Sequence, residues 1–335
     1  MEFTQTIRTH LNHHRGWRKL RRLQHEGPVN ALRRWRLWSK ILKTPPVLTE
    51  EARAGGAVEV HMLCYERDYL CAIWALKSFY HFAQARYPLA IHVQGSVPNR
   101  VPARLKAHFP AARIIIQSEA DAIVERWLNE RGFVRLLDAR RRSPFMLKLT
   151  DFAILSEAVH LLTIDSDVLF FNRPSDLLVA TGAPLPANLF QRDPVSTYNL
   201  SEERALDELG IRLAPQVNTG IMLFPRASIQ LFRCEQYLAH PDVAQPNGWI
   251  EQTLYALLAS EQGRVAYLSD RYLISLETGV PLDNLIARHY AGPTRSLFTQ
   301  EGLPELIKRG SLDQLRSSAR HQPDGWETAE KEITS

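Results

Sequence analysis

The sequence predicts an α/β domain whose mostly parallel central sheet is covered by helices. Three observations carry this. Short apolar runs alternate with longer helical patterns from Val58 onward. The runs have the length and density of buried strands. And 335 residues, 45% hydrophobic and 23% charged, form an ordinary globular composition, long enough for one large domain or two smaller ones.

The elements follow in order. Residues 1–45 hold 11 Lys and Arg against 2 Glu, a balance of +9, while the remainder balances at −4. Basicity therefore belongs to an N-terminal extension. In it, Trp17, Leu20 and Leu23 share one helical face among Arg18, Lys19, Arg21 and Arg22. After Gly27-Pro28, Leu32, Trp35, Trp38, Ile41 and Leu42 recur at helical spacing, with Arg33, Arg36 and Lys40 opposite. Such helices suit an anionic membrane surface, or they pack on the main domain and expose their basic side. The main domain offers no basic face or motif for nucleic acid. Thr44-Pro45-Pro46 and Gly55-Gly56 bound a linker. The predicted organisation is an extension and linker over 1–55, the α/β domain over 56–300, and a C-terminal helix with a polar tail over 301–335.

Within the domain, Val58–Leu63, Leu89–Gln94 and Ile114–Gln117 read as strands. Asp68–Phe82, Val101–Phe109, Ala120–Arg131 and Phe145–Glu157 read as helices. Cys64, Cys71 and Cys234 sit in apolar settings and suit a reducing compartment. No apolar run approaches the roughly 18 residues of a membrane span, and the N-terminus lacks the apolar core of a secretory signal. A cytoplasmic enzyme, peripheral at the inner face of the membrane, is the expected setting.

The stretch His160–Phe171 is the most informative. Asp165 and Asp167 flank Ser166 between apolar runs, where charges rarely occur unless paired or metal-bound. In an extended segment both aspartates would point to one side and could share a divalent cation. The plainer reading is a turn with two solvated aspartates. Downstream, Val217-Asn218-Thr219-Gly220 forms a polar turn before an apolar strand. There Asn218 could bond sugar hydroxyls and Gly220 could admit a ligand. Trp249-Ile250-Glu251-Gln252 opens a helix, and His289-Tyr290-Ala291-Gly292-Pro293-Thr294-Arg295 joins an imidazole to a glycine turn and a guanidinium. Taken singly, each of these has an ordinary structural explanation. The loop after the first strand, Cys64-Tyr65-Glu66-Arg67-Asp68, lacks glycine. That removes the dinucleotide fingerprint and the NTPase phosphate loop.

Together, in this order, the motifs resemble the GT-A glycosyltransferases, and within them the family 8 group of nucleotide-diphospho-sugar transferases, over roughly residues 57–297. The resemblance implies Asp165, Asp167 and His289 as ligands of Mn²⁺ (or Mg²⁺). It implies Tyr65, Asp68, Lys148, Ser166, Asn218, Gly220, Gly292 and Arg295 around the donor, and Glu251 and Gln252 as the catalytic pair. The donor would be a UDP-sugar and the acceptor a saccharide or lipid-linked glycan, with anomeric configuration retained. Two departures stand out: Leu63-Cys64-Tyr65 replaces the usual polar end of the first strand, and Arg295-Ser296-Leu297 replaces Lys-Pro-Trp. Two other classes remain: an aspartate-nucleophile phosphatase, and an inactive membrane-associated adaptor of the same fold.

Overall fold

The computed structural model describes residues 28–95, 100–179 and 185–310. The expected pattern over Trp17–Leu23 lies outside them. In chain order the described elements are α1 (Pro28–Ser39), β1 (Val58–Tyr65), α2 (Tyr69–Ala83), β2 (Leu89–Gln94), α3 (Arg100–His108), β3 (Arg113–Ile116), α4 (Gln117–Glu130), α5 (Val134–Arg142), α6 (Leu147–Leu155), β4 (His160–Ile164) and β5 (Val168–Phe170). There follow β6 (Asn188–Arg192), α7 (Glu202–Leu209), β7 (Val217–Pro225), α8 (Leu231–Tyr237), α9 (Ile250–Glu261), β8 (Val265–Tyr267), β9 (Tyr272–Ile274), β10 (Ala287–His289) and α10 (Leu303–Lys308).

The large sheet has the order β3-β2-β1-β4-β7-β6-β8, and β5-β10-β9 form a small one. In the large sheet only the pairings β4–β7 and β7–β6 are antiparallel. The expected class, α/β with a mostly parallel sheet covered by helices, is thus the one observed. Each face of the sheet has its own core. Val58, Val60, Met62 and Cys64 of β1 pack with α2 residues such as Ile73, Leu76 and Phe79. Leu63 and Leu161 face the other way, toward Leu149 and Phe152 of α6 and Leu254 of α9. That second face also holds a polar chain. Glu59 accepts hydrogen bonds from Arg113 (3.0 and 3.1 Å) and Ser156 (2.5 Å) and pairs with His61 (3.0 Å), which pairs with His92 (3.1 Å).

Two expectations need revision. The helix over Phe145–Glu157 is shorter: a 3₁₀ turn at Pro144–Met146 leads into α6, and Ser156, already extended, ends it. The apolar residues of α1 do not share one face. Ile41, in the 3₁₀ turn after α1, is buried, and Trp38 packs inward and accepts a hydrogen bond from Trp74 Nε1 at its carbonyl (3.1 Å), whereas Leu32 and Trp35 point outward. The helix packs on α2, and the loose 32-35-38-41 stripe is split by the narrow seam it can cover. All three cysteines are buried and unbridged. Among the described residues no helix is long and apolar enough to cross a membrane.

Candidate active site

Strand direction gathers the site. β1 and β4 run parallel and end at one rim of the sheet, at Tyr65 and Ile164. β7 runs antiparallel to β4, so its first residues lie beside the end of β4; the Asp165 amide donates to the Gly220 carbonyl at 2.8 Å. β6 runs antiparallel to β7, so Asp193, just past its end, returns to the same rim. Ligands bind at the carboxyl ends of such strands.

Asp165 and Asp167 do not lie on one side of an extended strand, as the spacing predicts. β4 stops at Ile164, and Asp165–Val168 forms a turn closed by the Val168 amide on the Asp165 carbonyl (3.2 Å), with Ser166 buried within it. The turn converges the carboxylates. β10 pairs with β5 in the register His289↔Val168 and presents His289 to that turn. Its Nε2 lies 3.3 Å from Asp167 Oδ1 and 4.0 Å from Asp165 Oδ2. One ligand atom from each of the three residues falls within 4.8 Å of the others. Two carboxylates and an imidazole gathered this closely could hold one divalent cation. Burial acts to lower the His289 pKa, but its hydrogen bond and charge contact with Asp167 outweigh burial and raise it. Burial acts to raise Asp167, and the same contact lowers it. A protonated imidazole and a bound cation are alternative ways to neutralise these carboxylates. The buried His289 Nδ1 has no hydrogen-bond partner.

Gly220 serves His289 directly. A Cβ there would sit 2.3 Å from the ring's Cε1 and Nδ1, so the neighbour its missing side chain admits is the imidazole. Asn218, Thr219 and Gly220 are not a turn before the strand but the first part of β7. They lie where its register with β6 jumps from Phe190↔Met222 to Gln191↔Asn218. Such bulges re-aim side chains next to sites.

Two cations border the carboxylates. Lys148, in the first turn of α6, is buried. Its Nζ lies 2.9 Å from Asp165 Oδ1 and 3.8 Å from Glu251 Oε1, and it donates to the Thr219 carbonyl (3.1 Å). Burial opposes its charge, yet Asp165 and Glu251 hold its pKa above the ordinary lysine value. Arg295 reaches Asp68 Oδ1 at 3.0 Å and lies 3.8 Å from Asp167 Oδ2, tying the loop after β1 to the carboxylate turn. Gly292 opens the turn carrying Arg295 with φ +52°. Tyr65, half-buried at the end of β1, lies under the Arg67 guanidinium, 5.5 Å from the ring centroid.

Glu251 and Gln252, in the first turn of α9, are buried rather than solvated. Glu251 is 1% exposed. Burial, reinforced by the Asp165 charge and only partly offset by Lys148, pushes its carboxyl up to about 7. Its Oε2 accepts from Thr219 Oγ1 (3.0 Å). Gln252 Nε2 donates to the Thr197 carbonyl (3.0 Å) and to Asp193 (3.2 Å), and Asn218 Nδ2 donates to the same aspartate (3.0 Å). Asp193 is the residue sequence reasoning missed. No apolar run marks it, since Gln191 and Arg192 directly precede it. Burial raises its pKa, opposed by the hydrogen bonds from Asn218 and Thr197. Asp193 also lines a cavity of about 250 Å³ with Arg192, Gln216, Ser269, Tyr272 and Leu273.

No family model matches the sequence, and no curated protein does. Among solved structures the chain is similar to the galactosyltransferase LgtC in complex with donor and acceptor sugar analogues. The identity is 16% over 81% of this chain and 99% of that one, with a TM-score of 0.47. It is similar to apo mouse xyloside xylosyltransferase 1, at 12% identity over 71% of this chain and 99% of that one, with a TM-score of 0.47. It is also similar to the apo bifunctional glycosyltransferase WbbM, at 14% identity over 78% of this chain, with a TM-score of 0.46. The chain spans about half of that protein's length, 53%.

Proposed function

We propose that the chain is a GT-A-type glycosyltransferase of the family 8 group. In this reading it moves a sugar from a UDP-sugar to a saccharide or lipid-linked acceptor, with retention. The observation that carries this is the meeting of Asp165, Asp167 and His289 with two cations, Lys148 and Arg295. Three cation ligands beside two fixed positive side chains suit a metal-bound diphosphate.

A divalent ion held by Asp165, Asp167 and His289 would neutralise the diphosphate as it leaves, and the imidazole ligand favours Mn²⁺ over Mg²⁺. Lys148 and Arg295 would hold phosphate oxygens in charge-assisted hydrogen bonds. Tyr65 and Asp68, at the end of β1, would face the nucleoside. Asn218, Gln252 and Asp193 form a connected set of donors and acceptors suited to sugar hydroxyls. Glu251 lies behind Lys148 and Thr219, so its burial supports an electrostatic role through Lys148 over a direct role as base. Retention requires no strong general base of the protein. The cavity beside Asp193 is where an acceptor saccharide would lie.

A phosphatase needs an aspartate free to attack phosphorus. In that reaction the connected Asp193, Asn218 and Gln252 set would have no task. The test is donor hydrolysis across sugar nucleotides with Mn²⁺. Release of nucleoside diphosphate from a UDP-sugar is expected. Turnover of phosphomonoesters with no sugar-nucleotide activity would overturn the reading.

A further inference from the structure

Helix α1 shows two faces. Inward, Trp38 and the Ile41 that follows fix it to α2, and Thr44 just beyond takes a hydrogen bond from the buried Lys77 (2.6 Å). Outward, Leu32 is 48% and Trp35 60% exposed; Arg33 and Arg36 of the same helix and Lys40 and Lys43 of the turn after it are exposed as well. No acidic residue occurs between Pro28 and Lys43, and the 27 residues ahead in sequence add six Lys and Arg against two Glu.

Exposing a tryptophan and a leucine to water is unfavourable unless something covers them. The covering surface must accept indole and aliphatic carbon at its centre and positive charge around them. An anionic bilayer does both: indole settles at the headgroup level, and each basic side chain gains from the surface potential. We propose that the outer face of α1, centred on Leu32 and Trp35, together with the exposed Arg33, Arg36, Lys40 and Lys43 of the same segment, docks the protein on an anionic lipid bilayer. Because the inner face is packed on α2, and α2 starts directly after Asp68 of the site, the contact fixes the orientation of the catalytic rim to the membrane. The proposal holds whatever the reaction is.

Full-length protein is sedimented with vesicles of phosphatidylcholine alone and of phosphatidylcholine with phosphatidylglycerol. Binding is expected only to the anionic vesicles and is expected to fall with added salt. Arg36→Gln with Lys40→Gln should weaken binding about fivefold for each charge removed. Leu32→Ser with Trp35→Ser should abolish most of the rest. Both pairs are solvent-facing, so melting temperatures should match the wild type. Equal vesicle binding by wild type and both variants would overturn the proposal. So would a wild-type dimer that Trp35→Ser dissolves, or equally tight binding to duplex DNA.

Discussion

At the scale of single residues, the site depends on close approaches that spacing alone does not reveal. Asp165 and Asp167 stand out in the sequence because charges inside apolar runs are conspicuous, whereas His289 enters only through the family resemblance. Asp167→Asn and His289→Ala should each cut Mn²⁺-dependent donor hydrolysis by at least about 100-fold, since a metal contributes several kcal/mol to such a step. UDP with Mn²⁺ should raise the wild-type melting temperature by mass action and should not raise that of either variant. A ligand-induced shift that survives in both would exclude these residues as ligands. Gly220 is a second case. The Cβ of Gly220→Ala would overlap His289, which is boxed in by buried neighbours. The substitution should cost about 1–3 kcal/mol and abolish the metal response, although no ligand atom is changed. An alanine variant with wild-type metal titration would refute the steric role. Asp193 escaped notice because its partners, Asn218 and Gln252, lie 25 and 59 residues away and meet it only in the fold.

At the scale of elements, β1 to β4, β7 and the helices between the first strands could be read from periodicity, because burial on both faces makes β1, β2 and β4 dense in apolar residues, whereas the short β6, β8, β9 and β10 and the helices α7 and α8 could not. Their polar members were harder to place. Glu59 and His61 interrupt β1 toward the α6 side, where Arg113, Ser156 and His92 satisfy them, a contact of high sequence separation. The α5 helix, Val134–Arg142, went unseen because three consecutive arginines, Arg140 to Arg142, close it. One of them, Arg140, is buried against Asp151 (2.7 and 2.8 Å). The junction between α1 and α2 is similar. Lys77 is fully buried on α2, and its Nζ donates to the Thr44 hydroxyl and the Pro45 carbonyl. Lys77→Met would leave those acceptors unpaired, at about 1–3 kcal/mol. It should make the stretch from 44 to 57 sensitive to protease while donor hydrolysis persists. An uncleaved, equally stable variant would show that the clip contributes nothing.

At the scale of the whole molecule, three buried titratable groups give stability opposing pH dependences. Burial holds the His61 and His92 pKa values below the ordinary histidine value. The unfolded chain therefore binds protons that the native chain refuses, and stability falls as pH drops below about 6.5. Glu251 acts oppositely. Burial raises its carboxyl from 4.5 to about 7, so the native chain binds the extra proton, and stability falls as pH rises through that interval, by up to ~3 kcal/mol. In metal-free protein, Glu251→Gln should therefore raise the melting temperature at pH 8 more than at pH 5. His92→Phe, which keeps the packing on Phe152, should flatten the acid side of the curve. Parallel curves for wild type and both variants would place the pH dependence elsewhere. The reversal of β7 alone within an otherwise parallel sheet has a practical consequence of its own. It brings Asn218, at the start of β7, to the rim where β1, β4 and β6 end beside Tyr65, Asp165 and Asp193, and leaves the turn Pro225–Ile229 at the opposite rim with the starts of the parallel strands. Chemistry and connectivity are thereby segregated. A circular permutant opened between Arg226 and Ser228 would rewire the chain without moving any residue of the candidate site, whereas a break between Asp165 and Val168 would cut the turn that gathers it.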